Sequence, residues 1–74
     1  MTFEQFIADV PRVHNLLKHE GADLRYGQTF YNHLHSVNEP LAQKICGTHL
    51  DPFYTETVDS ETIAFCSENW NWTG

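Results

Sequence analysis

Apolar side chains recur every three or four residues along most of this chain, and this spacing constrains the fold more than any other feature. Phe3, Phe6, Ile7 and Val10 follow it near the start. Such a repeat places side chains on one face of an α-helix, whereas a half-buried strand needs strict alternation. Neither clear alternation nor the two-residue turn of a β-hairpin occurs in the sequence. The sequence therefore predicts an all-α fold.

Residues that start and end helices divide this pattern into about four short segments. Ser, Thr, Asp and Asn side chains accept the free N–H groups at a helix start, and Gly after a helix allows the chain to turn away. The candidate N-caps are Thr2 (with Gln5 at capping-box spacing), Asp23, Asn38, and Asp59 or Ser60. The candidate stops are Gly21 and Gly47. We expect a compact bundle of about four short helices.

Pro11 and Gly27 lie inside predicted helices and need a reason to be there. Proline lacks a backbone N–H, so Pro11 must kink the first helix or start a new one, with Asp9 as the cap of the restart. Glycine costs about 1 kcal/mol relative to alanine in a helix interior. We therefore expect another element to approach the chain closely at Gly27.

The length of 74 residues limits the chain to a single small helical domain over 1–74, in which the tail 71–74 is expected to fray. The sequence shows no secretion signal and no apolar run near the ~18 residues of a membrane span. We therefore expect a cytoplasmic protein whose two cysteines are reduced thiols.

Charge is unevenly distributed along the chain, whose net charge is −6. Residues 1–44 are close to balance, but residues 45–74 contain five acidic residues and neither Lys nor Arg. An acidic segment repels phosphates and anionic lipids, so the sequence disfavours direct binding to nucleic acid or membranes. It is suited instead to a protein partner with a basic surface, although acidity also serves ordinary solubility.

The stretch CGTHLDPFY, residues 46–54, contains the only metal-like spacing that we identify, the pair Cys46 and His49. Thiolate and imidazole suit zinc, so a zinc-stabilised small module using these two residues is one alternative function. A closed site needs two more ligands, and the remaining Cys and His residues form no second paired motif. A helix-to-helix corner explains the same stretch, and we expect no metal or cofactor.

Catalytic motifs are missing from the sequence. It has no Gly-rich phosphate loop, and neither cysteine lies in a known nucleophile motif. Carboxylates are plentiful, but nothing in the spacing fixes two of them across a cleft. The sequence predicts a protein that is not an enzyme.

Aromatic residues near the acidic segment favour a protein–protein interaction module, since Tyr and Trp are enriched at interface hot spots. The alternative is that they cover the core, which is the expected role of Phe53 and Trp70. The candidate partner-binding residues are Asp51, Tyr54, Glu56, Asp59, Glu61 and Trp72. A structural or accessory subunit of a homo-oligomer, such as a homodimer, is the other alternative function.

Residues 24–54 read LRYGQTFYNHLHSVNEPLAQKICGTHLDPFY. The stretch resembles a pattern in small uncharacterised proteins of bacteria and phages, in which RYGQ opens a helix, GT stops another and DPFY follows. The resemblance covers just under half of the chain and implies no established activity. Size and acidity are also similar to those of short phage proteins that bind and disable a host or defence protein.

Overall fold

Four helices joined by turns make up the part of the protein that the computed structural model describes, residues 1–71. They are α1 (Phe3–His19), α2 (Tyr26–Val37), α3 (Glu39–Ile45) and α4 (Ser60–Glu68). Strands do not occur within this range. The all-α fold and the number of helices expected from the sequence are confirmed.

The start of α1 is held by the predicted capping box. The backbone N–H of Gln5 donates to Thr2 Oγ1 at 3.1 Å, and the N–H of Thr2 donates back to Gln5 Oε1 at 2.8 Å. The helix then runs without interruption through Pro11, so the expected restart does not occur. Asp9 is not a cap, because its carboxylate accepts a hydrogen bond from the side chain of Arg12.

The sequence predicts the N-cap of α3 correctly, but not the N-cap of α2. Asp23 does not cap α2, whose N-cap position is occupied by Arg25 without a side-chain hydrogen bond. Asn38 does cap α3 as expected: its Oδ1 accepts from the N–H of Leu41 at 3.4 Å. Its amide also donates to the carbonyl of Trp70 at 2.7 Å. Asn38 therefore ties the start of α3 to the chain that follows α4.

The hydrophobic core lies where α2 packs against both α1 and α3. Every helix contributes at least one fully buried side chain, which is how helices this short become stable. The buried apolar residues are Phe6, Val10, Phe30, Leu34, Leu41, Ala42, Ile45, Leu50 and Cys66. Leu50 belongs to no helix, so the connection between α3 and α4 also takes part in the core.

The buried side of α4 differs from the apolar side expected from its sequence. Thr62 and Cys66, one turn apart, are buried, whereas Ala64 is exposed and Ile63 and Phe65 are only partly buried. A threonine is tolerated there because its hydroxyl donates to the carbonyl of Leu50 at 2.8 Å. Polar Thr62 therefore faces the core, which hydrophobicity alone does not predict.

The end of the chain is described only in part. Residues 72–74, which include Trp72 and all but Asn71 of the predicted tail, lie outside the described range. Within residues 1–71, none of the helices combines the length and the apolar character that crossing a membrane requires.

Candidate functional site

The connection between α3 and α4, residues 46–59 and hereafter the corner, is organised around Asp51. Asp51 Oδ2 accepts from the N–H of Gly47 at 2.8 Å, and Oδ1 accepts from the N–H of Phe53 at 3.0 Å. One carboxylate therefore braces both ends of a seven-residue loop. The predicted interpretation of CGTHLDPFY as a helix-to-helix corner agrees with this arrangement.

The corner is anchored to α2 where the two backbones approach each other closely. The N–H of Gly27 donates to the carbonyl of Thr55 at 3.1 Å. The hydroxyl of Thr55 lies 2.9 Å from the carbonyl oxygen of Pro52 and 2.6 Å from that of Thr57, and it donates to one of them at a time. This contact is the close approach that the sequence predicts at Gly27.

Three aromatic rings, Tyr31, Phe53 and Tyr54, form a row that leads from α2 to the surface and is hereafter the aromatic row. The ring centroids of Tyr31 and Phe53 are 5.8 Å apart, and those of Phe53 and Tyr54 are 4.9 Å apart, both edge to face. Phe53 is partly buried, whereas Tyr54 is 79% exposed. Tyr54 is therefore an aromatic side chain that the fold supports on one side and leaves open on the other.

Tyr31, at the base of the aromatic row, is held as a neutral phenol. Burial, the neighbouring Cys46 thiol and the negative charge of Asp51 together raise the pKa of Tyr31 to about 12. An ionised phenolate would be disfavoured there both by burial and by the nearby carboxylate. Tyr31 therefore adds no charge to the base of the aromatic row at ordinary pH.

Acidic side chains surround a small cavity in the corner. Asp51 and Asp59 line one small cavity of about 90 Å³ together with His49. Glu61 joins the same group, since its Oε1 lies 3.0 Å from His49 Nε2. Glu56 is exposed between Thr55 and Thr57, which line the same cavity. The structure therefore places Asp51, Glu56, Asp59 and Tyr54 in the corner and Glu61 at its edge, in contact with His49. Trp72 lies outside the described residues.

Trp70 has the core role expected of it. Its ring lies 5.6 Å from that of Phe3 and 5.2 Å from that of Phe6, measured between centroids. Its indole N–H donates to the carbonyl of Met1 at 2.9 Å. Trp70 thus fastens the end of α4 to the start of the chain, on a different part of the molecule from the aromatic row.

Cys46 and His49 do not come together with further ligands in the described part of the chain. Among residues 1–71, no group of three or more Cys, His, Asp or Glu side chains is arranged to hold a metal ion. His49 is engaged with Glu61, and Cys46 lies beside Tyr31. The geometry therefore does not favour the zinc-stabilised alternative.

The two thiols differ in exposure, and we expect them to react differently. Cys46 is exposed, whereas burial raises the pKa of Cys66 to about 11. Because the thiolate is the reactive form, native protein treated with Ellman's reagent should release one equivalent of thiol quickly and the second only in denaturant. Cys46→Ser should remove the fast equivalent. Rapid release of both equivalents by the native protein would contradict the buried position of Cys66.

A polar contact between α1 and α2 was not expected from the sequence. His33 Nε2 lies 2.9 Å from Asp9 Oδ2, although off the line of a hydrogen bond, and its ring stacks on Phe6 at 5.4 Å between centroids. Asp9 also accepts from Arg12 Nε at 2.7 Å. The Asp9–Arg12 pair has helical i, i+3 spacing and could have been found from the sequence. The contact between His33 and Asp9 could not be found in this way, because it depends on how α2 packs against α1.

Asp9 should make stability depend on pH. The hydrogen bond from Arg12 and, to a smaller extent, the contact with His33 lower the pKa of Asp9, although partial burial opposes them. A carboxylate with a lowered pKa stabilises the fold above its unfolded pKa of about 3.9 and loses this effect as the pH falls through its folded pKa. Asp9→Asn should therefore be less stable than the original protein near neutral pH, and the difference should disappear in acid.

Urea denaturation at about pH 6 and at a series of lower pH values down to about pH 2 follows this difference between the two proteins as Asp9 is protonated. Glu20→Gln, which removes an exposed carboxylate beyond the end of α1, is the matched control. A stability difference between Asp9→Asn and the original protein that stays constant over this range would assign the effect to packing rather than to charge.

Comparison with protein-family models, with curated proteins and with solved structures found no match for this chain. A function is therefore argued from the fold and from the corner. The resemblance of residues 24–54 to a pattern in bacterial and phage proteins stays a prediction, as does the likeness to short phage inhibitors.

Proposed function

We propose that this chain is a small acidic interaction module that binds the basic surface of another protein through its corner and is not an enzyme. The observation that carries the proposal is the position of Tyr54. It is 79% exposed, yet it belongs to a corner braced by hydrogen bonds. Along the chain it lies between the acidic residues Asp51 and Glu56. Exposed aromatic side chains that are already ordered lose little freedom on binding, which makes them effective anchors.

Electrostatics support a basic partner. Residues 45–71 contain five carboxylates and no Lys or Arg, so this segment has no Lys or Arg of its own to repel a cation. Glu56, Asp59 and Glu61 are all exposed. Their charges would speed the encounter with a basic surface and orient it, with an effect that weakens as salt is added. Asp51 contributes its charge, but both of its oxygens already accept backbone N–H groups.

Occlusion is the mechanism that this geometry supports. A phage-type inhibitor of a host or defence protein would act by covering a basic groove, and it would need shape and charge rather than catalytic groups. The cavity at the corner has a volume of about 90 Å³. Pockets that bind organic ligands are typically about 300 to 1,000 Å³, so this one is better suited to water than to a substrate.

Photocrosslinking tests the proposed surface. The protein would carry p-benzoylphenylalanine in place of Tyr54 and, as a control, in place of Leu16, which is 51% exposed on α1. After irradiation in a lysate of the source cells, we expect an adduct with a basic protein from position 54 and not from position 16. Purified partner should then lose its own activity when the module is added.

Two charge variants test whether the acidic side chains at the corner contribute to partner binding. The triple variant E56Q/D59N/E61Q should lose most of the adduct. The control E4Q/E20Q/E39Q removes the same number of charges elsewhere and should keep it, so overall charge is held equal. Adducts that form equally at positions 16 and 54 would overturn the proposal. Adducts with twice the mass of this chain would also overturn it, because they would indicate self-association.

A further inference from the structure

Tyr54 is 79% exposed, and the exposed carboxylate of Glu56 follows it two residues along the corner. An aromatic ring and a carboxylate together favour one type of cation. We infer that the corner recognises arginine over lysine, with a guanidinium group stacked on the Tyr54 ring and held by Glu56. The inference rests on the proposed function, because it assumes that the partner is basic. It adds the chemistry of the side chain that is bound.

The Tyr54 ring is open to such a stack and is held in place. Phe53 meets it edge to face at 4.9 Å, and this contact and the backbone cover only about a fifth of the side chain, which is 79% exposed. Phe53 in turn rests edge to face on Tyr31 at 5.8 Å. The rings below therefore support Tyr54 on one side and leave most of its surface open to a partner.

The carboxylates near Tyr54 differ in their availability. Asp51 uses both oxygens on backbone N–H groups, and Glu61 is paired with His49. Glu56 is exposed two residues beyond Tyr54. The ion pairs within residues 1–71 involve Asp9 and Glu61 and not the Glu56 carboxylate. An incoming cation that lies on the Tyr54 ring would therefore find Glu56 free to accept its N–H groups.

Arginine suits this combination better than lysine for two physical reasons. Its guanidinium is planar, so it can stack flat on an aromatic ring, and it presents parallel N–H groups that pair with a carboxylate in a bidentate way. It is also more weakly hydrated than an ammonium group, so less solvation is lost on contact. At an exposed site a cation–π contact typically changes affinity by roughly two- to fivefold.

Titration of the ¹⁵N-labelled protein with two peptides tests the inference. The probes are an octa-arginine and an octa-lysine peptide, both acetylated and amidated so that their charges are equal. At low ionic strength we expect both to shift the amide signals of residues 51–61, with a dissociation constant roughly two- to fivefold lower for octa-arginine. Tyr54→Ala should remove this difference by weakening the arginine peptide more than the lysine peptide, and Tyr54→Phe should preserve it.

The outcomes separate this inference from the proposed function. Equal affinity for the two peptides, or an arginine preference that survives in Tyr54→Ala, would overturn the inference and leave a basic partner in place. If neither peptide shifts the corner signals, both the inference and the proposed function fail. Leu16→Ala is the control for loss of an exposed apolar side chain and should leave the affinities for both peptides unchanged. The amide spectrum of each variant verifies that the variant is folded.

Discussion

Phe6→Ala is expected to lower the free energy of unfolding by about 3 to 5 kcal/mol. Phe6 is fully buried, and its ring meets four others, those of Phe3, Phe30, His33 and Trp70. Alanine removes all of these contacts and leaves a cavity between α1 and α2. A single core in a domain of this size rarely supplies more than about 3 to 5 kcal/mol of net stability. The variant should therefore be largely unfolded at room temperature.

Far-ultraviolet circular dichroism in increasing urea measures this effect. Phe65→Ala is the matched control, since it removes the same side chain from a partly buried position on α4 and should cost less. Phe6→Leu keeps most of the volume and should remain folded. If Phe6→Ala were no less stable than Phe65→Ala, the core would not be centred on Phe6.

Gly27→Ala is expected to destabilise the fold by about 3 kcal/mol or more, even though alanine is the better helix former. A Cβ atom at Gly27 would overlap the carbonyl oxygen of Pro52 and would lie only 2.5 Å from the carbonyl oxygen and 2.7 Å from Oγ1 of Thr55. Two of these atoms are backbone, so they cannot move without shifting the corner. The hydrogen bond from the Gly27 N–H to Thr55 would be lost with them.

Urea denaturation compares this variant with Gly21→Ala. Gly21 has φ +87° and nothing within 4 Å of an added Cβ, so alanine there introduces only backbone strain, of about 1 kcal/mol. Alanine at Gly27 should instead improve helix propensity, so a larger loss of stability at Gly27 than at Gly21 would report the steric overlap. A Gly27→Ala protein as stable as the original would mean that the corner does not rest on α2.

Gly27→Ala also tests the proposed function. The corner is held by Asp51 from within and by Gly27 from α2, so lifting it from α2 should also release the aromatic row. We expect Gly27→Ala to lose adduct formation at position 54 even under conditions in which its helices persist. Binding would then depend on the support under Tyr54 as well as on Tyr54 itself.

Local hydrogen bonds account for the features that were predicted correctly. The capping box of Thr2 and Gln5 and the cap at Asn38 join residues three positions apart, so spacing along the chain is enough to find them. Gly21 and Gly47 follow helix ends with positive φ, as expected of glycine stops. Spacing is not sufficient at Asp23, which lies too far before α2 to cap a helix that begins at Tyr26.

Long-range contacts account for the features that were missed. Thr62 is buried because Leu50, twelve residues away, offers a carbonyl to its hydroxyl. Asp9 meets His33 because α1 and α2 pack side by side. For the candidate site, sequence alone marked Tyr54, the acidic residues and a turn starting at Asp51. It did not reveal that Glu61 would contact His49, twelve residues away.

The sequence by itself determined where most helices begin and end, that the fold is all-α, and that the last thirty residues carry only negative charge. These properties depend on residues within about four positions of one another or on composition. The tertiary structure alone decided which face of α4 is buried, which carboxylates remain free, and that Tyr54 stands exposed on a corner supported by Gly27. Those outcomes depend on distances between residues far apart in the chain, which only the packed helices define.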